Sequence, residues 1–273
     1  MTLYKNTLAA FVFALSLAAC DSGREWNNLE FYSVAKRAAM SEKSSDRDSM
    51  GVDDDFAQLN DDDMREMDVT VDMAFVKSSN TTNDSICRLI NGQIIENLLG
   101  QPSHLSTSKA IERFIEEEKK EFRSDDYSPI YTNHVKGHAE YGKDNVINYW
   151  FSEEVFNGGA HPSTTTTILC FNATTGQLID YNNVFTLANN RKLRDALLHK
   201  LMADNNVATV EELNKKGYLE MMDMFVSKNF ALEADSIVFY YNEYDIAPYA
   251  FGPSSISLAY SDLEGIINEE YSK

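Results

Sequence analysis

The sequence predicts an α+β fold, a mostly antiparallel sheet with helices packed on one face. Three observations predict it. Residues 68–75 alternate polar and apolar, with Val69, Val71, Met73 and Phe75 in phase, the pattern of a half-buried strand. Two stretches with helical apolar spacing follow. From about Ile130 onward, β-rich runs are separated by hairpin-length turns, which favours antiparallel pairing. The order is β-α-α, a β-meander, then α-α-β-β-α, with no internal repeat.

Each element has its own signal. Asp84 or Ser85 opens the first helix, Ile86, Leu89, Ile90, Ile94 and Leu98 supply its apolar face, and Gly100-Gln101-Pro102 ends it. A second helix over residues 108–123 gathers Ile111, Phe114, Ile115 and Phe122, with Glu116, Glu117, Glu118, Lys119 and Lys120 as a solvated face. Residues 131–141, 145–155 and 163–171 read as strands, with turns at 141–145 and 172–176, and 177–181 extends the last strand. Asn189 or Asn190 caps a helix containing Leu193, Leu197, Leu198 and Leu201. Thr209-Val210-Glu211-Glu212 resembles a capping box and starts a helix reaching about Val226. Strands at 236–242 and 254–260 precede a terminal helix capped by Ser261 or Asp262.

The chain has 273 residues and a formal net charge of −19. That charge repels phosphate backbones, so no nucleic-acid partner is expected, and it steers basic partners inward. Lys5 is followed by an apolar run over residues 8–17, too short to span a bilayer. The run ends in Leu17-Ala18-Ala19-Cys20, which resembles the bacterial lipobox. The resemblance implies cleavage before Cys20 and acyl chains, palmitate among them, on that residue. Residues 1–19 are then a signal peptide. Residues 20–66 read as an acidic flexible tether, with a short helix over 28–40. The triplets Asp53-Asp54-Asp55 and Asp61-Asp62-Asp63 lack the glycine and distal glutamate of a calcium loop. Residues 67–273 form the folded domain, in halves 67–127 and 128–273. The expected location is the bacterial cell envelope, extracytoplasmic, touching the membrane only through the lipid anchor. Cys87 and Cys170 read as buried free thiols.

No catalytic or metal motif is present, and no cofactor is expected. His134 and His138 have i, i+4 spacing, but on a strand that separation is roughly 13 Å. Glu153 and Glu154 are adjacent and point to opposite faces. Two loops stand out. Asn157-Gly158-Gly159-Ala160-His161-Pro162 is a shaped turn between strands: the glycines take backbone angles other residues avoid, and the proline fixes entry to the next strand. Residues 240–253 form a long aromatic connection that includes Tyr241, Tyr244 and Tyr249. Tyrosine pairs an apolar ring with a hydroxyl at low entropy cost, which suits contact surfaces. Asn157, Gly158, Gly159, His161, Tyr241, Tyr244 and Tyr249 are the candidate ligand-contact residues, with His161 as structure or contact rather than catalyst.

These two loops, with the Thr175-Gly176 turn leading to Val184-Phe185, resemble the extracytoplasmic domain of RsiV-type anti-sigma factors, also found in PdaC-type peptidoglycan deacetylases. The resemblance covers roughly residues 145–260, with residues 68–122 similar to the companion N-terminal half. It implies an α+β fold and a protein- or glycan-facing role at the envelope. In RsiV the unit binds lysozyme, a basic protein. No sigma-binding, membrane-spanning or deacetylase segment is read from these residues, so those roles are not expected here. The expected function is a ligand-binding receptor, sensor or inhibitor, with a lysozyme-like muramidase, another envelope protein, peptidoglycan or another glycan as partner. An envelope hydrolase and a scaffold lipoprotein are the alternatives. Lipidation has a direct test. Cys20→Ala releases or misprocesses the protein, and a lipid precursor labels the parent and not the variant; an unlabelled parent removes the anchor.

Overall fold

The computed structural model describes residues 29–43, 64–124, 129–220 and 223–271. The signal peptide, Cys20 and the acidic triplets lie outside them. The fold is α+β, with mostly antiparallel sheets.

The larger sheet has six strands in sequence order: β1 (Leu29–Lys43), β2 (Met64–Ser78), β3 (Ile130–Tyr141), β4 (Val146–Phe156), β5 (Ser163–Asn172) and β6 (Leu178–Ile179). Neighbours are antiparallel except β2 and β3, which are parallel. A parallel pair needs a crossover, and the helices α1 (Asp84–Leu99) and α2 (Thr107–Ser124) supply it. Gly100, at φ 62°, closes α1 in the left-handed conformation.

Strand β1 corrects the tether and the short helix expected around residues 28–40. It pairs with β2 from Leu29↔Ser78 to Lys43↔Met64. Tyr32, Val34, Ala38 and Met40 lie half-buried against the core at every second position. Apart from Leu29 and Phe31 at its start, the rest is Ser, Ala, Lys, Arg and Glu, so the local signal is weak and the strand is held by its partner. Lys36 reaches Glu112 of α2, and Arg37 donates two hydrogen bonds of 2.9 Å to Asp68.

Met67, Val69, Val71, Met73 and Phe75 of β2 are buried beneath Ile90, Ile94 and Ile95 of α1 and Ile111, Phe114 and Phe122 of α2. Each such side chain contributes about 1.5–3 kcal/mol on burial. Ile147, Tyr149 and Phe151 extend this core across β4.

A second core lies against the opposite side of β4 and β5. Asp180 caps the short helix α3 (Tyr181–Val184) with a capping box, which stops β6 short of the expected 181. Then come α4 (Asn190–Asp204), α5 (Val210–Lys215) and a second sheet, β7 (Phe230–Leu232), β8 (Ser236–Tyr241) and β9 (Ser254–Ala259). The capping box at Thr209 and Glu212 forms as expected. The helix does not reach Val226: Gly217 and Leu219 take φ of 93° and 54°, which turns the chain. The terminal helix is also corrected to two 3₁₀ turns, Tyr260–Leu263 and Glu269–Tyr271, separated by Gly265 at φ 70°. Cys87 and Cys170 are free and buried, one in each core.

Asparagine amides join the halves. Asn148, 0% exposed in mid-β4, accepts from the Leu232 N–H at 3.0 Å and donates to the Leu232 carbonyl at 3.1 Å. The Cys170 thiol, pushed up to about 12 by burial and therefore protonated, donates to Asn148 Oδ1 at 3.3 Å. Gly142 leaves room for this joint, since a Cβ there would stand 2.0 Å from the Leu232 carbonyl oxygen. Asn229 and Asn242 act as a substitute strand along β5. Asn242 Oδ1 accepts from Thr166 N–H at 2.7 Å, Asn229 Oδ1 accepts from Ile168 N–H at 2.6 Å, and both amides donate to the Thr166 carbonyl.

Replacing Asn148 by leucine strands the buried Leu232 N–H, while the Cys170 thiol keeps the Phe230 carbonyl as acceptor at 3.4 Å. The expected loss is about 3 kcal/mol in denaturant unfolding, against less than about 0.5 kcal/mol for an exposed control such as Asn157→Ala.

Candidate functional site

The 157–162 turn joins β4 to β5, and the aromatic connection joins β8 to β9. Asn242 ends β8 by bonding to Thr166, a few residues into β5, so both loops emerge at the same corner. Gly158 and Gly159 take φ of 94° and 104°. A Cβ at Gly159 would meet nothing within 4 Å, so the backbone angle, not space, calls for glycine there. The shaped turn expected from sequence is present.

The imidazole of His161 stacks on Tyr249, with centroids 3.6 Å apart and planes at 16°. Tyr244 also stacks on Tyr249, at 5.8 Å and 30°. His161 Nδ1 lies 2.8 Å from the Pro162 carbonyl oxygen, which can only accept, so Nδ1 carries the hydrogen. In the neutral ring Nε2 then accepts from the Tyr244 hydroxyl, 3.4 Å away. The Tyr249 hydroxyl donates to the same Pro162 carbonyl at 3.3 Å. Partial burial, then Glu243, Tyr244 and Glu154, hold the Tyr249 phenol above its usual range. Tyr244 is 57% exposed and takes a left-handed φ of 68°. Phe251, half exposed, packs edge-on to Tyr218 at 5.4 Å.

The structure thus brings together His161, Tyr244 and Tyr249, with Asn157, Gly158 and Gly159 in the adjoining turn. Tyr241 is a correction. It is 0% exposed and donates its hydroxyl to the Phe225 carbonyl at 2.9 Å. As an odd member of β8 it faces the second core, where Ile237 and Phe239 also point. His134 and His138 do not converge: one approaches Glu154 at 3.4 Å and the other Glu140 at 3.7 Å.

Sequence reading missed the acidic residues around the rings, Glu154 and Glu243. It also missed a pairing of Glu118 with Glu153 through Asn133. The signal for Glu118 was present: it sits four residues after Phe114 and four before Phe122, on the buried stripe of α2.

Chemically, the ring cluster can contact and stack. Both His161 nitrogens are engaged by a carbonyl and a phenol, and neither by a carboxylate. The orienting partner that would make the imidazole a general base is thus not bonded to it.

Residues 182–261, which include the aromatic connection, match the family described as protein of unknown function DUF3298. Over 172 residues the chain is 24% identical to the peptidoglycan-N-acetylmuramic acid deacetylase PdaC of Bacillus subtilis (strain 168), covering 59% of this chain and 36% of that protein. The chain thus spans about a third of the curated relative it matches. A crystal structure of a DUF3298 family member from Bacteroides fragilis superposes with a TM-score of 0.72 at 24% identity, covering 88% of this chain and 94% of that one. One from Pseudomonas aeruginosa gives 0.57 at 15% identity, covering 87% and 95%. These two likenesses establish the fold.

Gly158→Val strains the turn and costs about 1–3 kcal/mol. His161→Ala removes an exposed ring and costs about 0.5 kcal/mol or less. Thermal melts rank the two. A stable His161→Ala protein that has lost a hydrolytic activity would make His161 catalytic.

Proposed function

We propose that this chain is an envelope-anchored lipoprotein whose folded domain is a ligand-binding receptor, sensor or inhibitor. The carrying observation is the exposed stack of His161, Tyr249 and Tyr244, formed by two loops far apart in the chain. Aromatic side chains preset in a stack present contact area with little left to order on binding. Glu154 and Glu243 add negative potential beside the rings, and the whole chain carries a formal charge of −19. A cationic side chain is attracted both by the ring faces and by the carboxylates.

The resemblance to the RsiV-type domain supports a basic, lysozyme-like muramidase as partner. The likeness to PdaC, whose name ties it to peptidoglycan, supports a glycan as the other ligand class. Sugar rings and basic side chains both suit an aromatic platform. Bonding at His161 favours contact over hydrolysis.

Calorimetry of the soluble domain against a basic lysozyme and against peptidoglycan fragments tests the reading. Binding of either weakens about tenfold or more in Tyr244→Ala and Tyr249→Ala, the scale of an interface hot spot. For the lysozyme the association rate falls as salt rises. No heat with lysozyme at tens of micromolar, roughly the scale of a weak specific contact, removes the muramidase reading. Binding unchanged in both variants removes the ring cluster as the site.

A further inference from the structure

The direction of β1 decides which end of the domain an anchor at Cys20 would hold. Nine peptide links separate Cys20 from Leu29, the first residue of β1. Whatever their conformation, they span at most about 32 Å. A tether running to residue 66, as the sequence suggests, would reach about 150 Å. The strand therefore holds the folded domain close to the anchor.

Leu29 marks one end of the large sheet. It pairs with Ser78, and the Tyr141 hydroxyl, from the last residue of β3, donates to its carbonyl at 2.8 Å. The ring cluster marks the other end. Ala39 is level with Asp68, Asp68 with Thr132, and Thr132 with Phe156, the last residue of β4. The 157–162 turn therefore leaves the sheet ten residues along β1 from Leu29, about 33 Å away at the usual rise of a strand.

Charge favours an upright pose. The chain carries a formal −19, and Glu154 and Glu243 border the rings. An anionic bilayer repels such a surface. An acidic body held by one end keeps the rest of its surface away from the lipid. The pose also suits a basic partner, for which anionic lipid competes. That competition fades over a Debye length of about 8 Å at physiological salt, and the rings stand about 30 Å beyond the anchored end.

We propose that the membrane-bound domain stands on the end of the large sheet where β1 begins, and carries the His161, Tyr244 and Tyr249 surface at its outer tip, where a basic protein reaches it from the aqueous side. The inference rests on Cys20 as the anchor and on the ring cluster as the contact surface.

The test uses the lipidated full chain in vesicles of phosphatidylethanolamine and phosphatidylglycerol. Lys77→Cys, paired with Glu30 beside the anchored end, and Asn157→Cys, in the exposed turn, each take a fluorescent maleimide. Cys87 and Cys170 are buried and stay unlabelled in the native protein. Energy transfer to a headgroup acceptor places the probe at 77 within about 32 Å of the bilayer and the probe at 157 about 30 Å further out. Adding about 20 Gly and Ser residues before Leu29 lowers transfer from both probes. A basic lysozyme binds the vesicle-held chain as tightly as it binds full-length Cys20→Ala in solution. Equal transfer from the two positions, or stronger transfer from 157, overturns the upright pose. Unchanged transfer after the insertion overturns it too, because the body is then docked by its own surface. A parent that does not float with the vesicles removes the anchor and the pose with it. Lysozyme binding that is present in solution and lost on vesicles overturns the tip as the point of approach. Lysozyme bound by neither form overturns the partner, while energy transfer still decides the pose.

Discussion

The two-way bond between the Asn148 side chain and the Leu232 peptide is the constraint on which the rest of the architecture depends. The chain builds two hydrophobic cores, and β4 serves both. Ile147 and Tyr149 face one core; Val146 faces the other. A strand buried on both sides has little tolerance for an unpaired polar group. Asn148 is nevertheless an amide at 0% exposure. It is tolerated because an amide reproduces the donor and acceptor of a peptide, so Leu232 pairs with a side chain as it would with a neighbouring strand. The bond is directional where apolar contact is not, and it sets the register of the second sheet on the first.

The same device carries the site. Asn242 and Asn229 complete the outer edge of β5, a role a seventh strand would otherwise fill. Asn242 is also the residue from which the aromatic connection departs. Its bond to Thr166, a few residues into β5, delivers that loop beside the 157–162 turn that precedes the strand. Ring stacking between His161 and Tyr249 is therefore the last contact in a chain of amide–peptide bonds, not an isolated surface event.

Much of this was legible. Alternation over residues 68–75, the apolar stripes of the helices and the glycine turn at 158–159 are local signals, and each element appeared with ends shifted by a few residues. What failed was non-local. Leu29–Lys43 reads as tether because its alanines, serines and charges carry little strand preference, and only a fifteen-residue register with β2 makes it a strand. Tyr241 was grouped with Tyr244 by composition, yet strand parity buries one while a left-handed turn exposes the other. The helix expected to reach Val226 failed because its own capping box is a start signal with no bearing on length, and Gly217 sits against the Phe251 ring that sequence cannot place there.

Glu118 shows how a strong average can hide an exception. Five consecutive charged residues from 116 to 120 describe a solvated helix face, and for Glu116 and Lys119, paired on the surface at 2.6 Å, that description holds. One member of such a run must still point inward, because a helix turns by about 100° per residue. Phe114 and Phe122 mark which one, and the inward position delivers a carboxylate to Asn133 and Glu153. At the ring cluster the acidic groups border an exposed aromatic face and meet water. At Asn133 they meet a buried amide whose oxygen is unpartnered. The first arrangement leaves negative potential available to an approaching cationic side chain. The second confines it between a helix and a sheet, where the Asn133 amide and the Tyr131 hydroxyl answer it with hydrogen bonds.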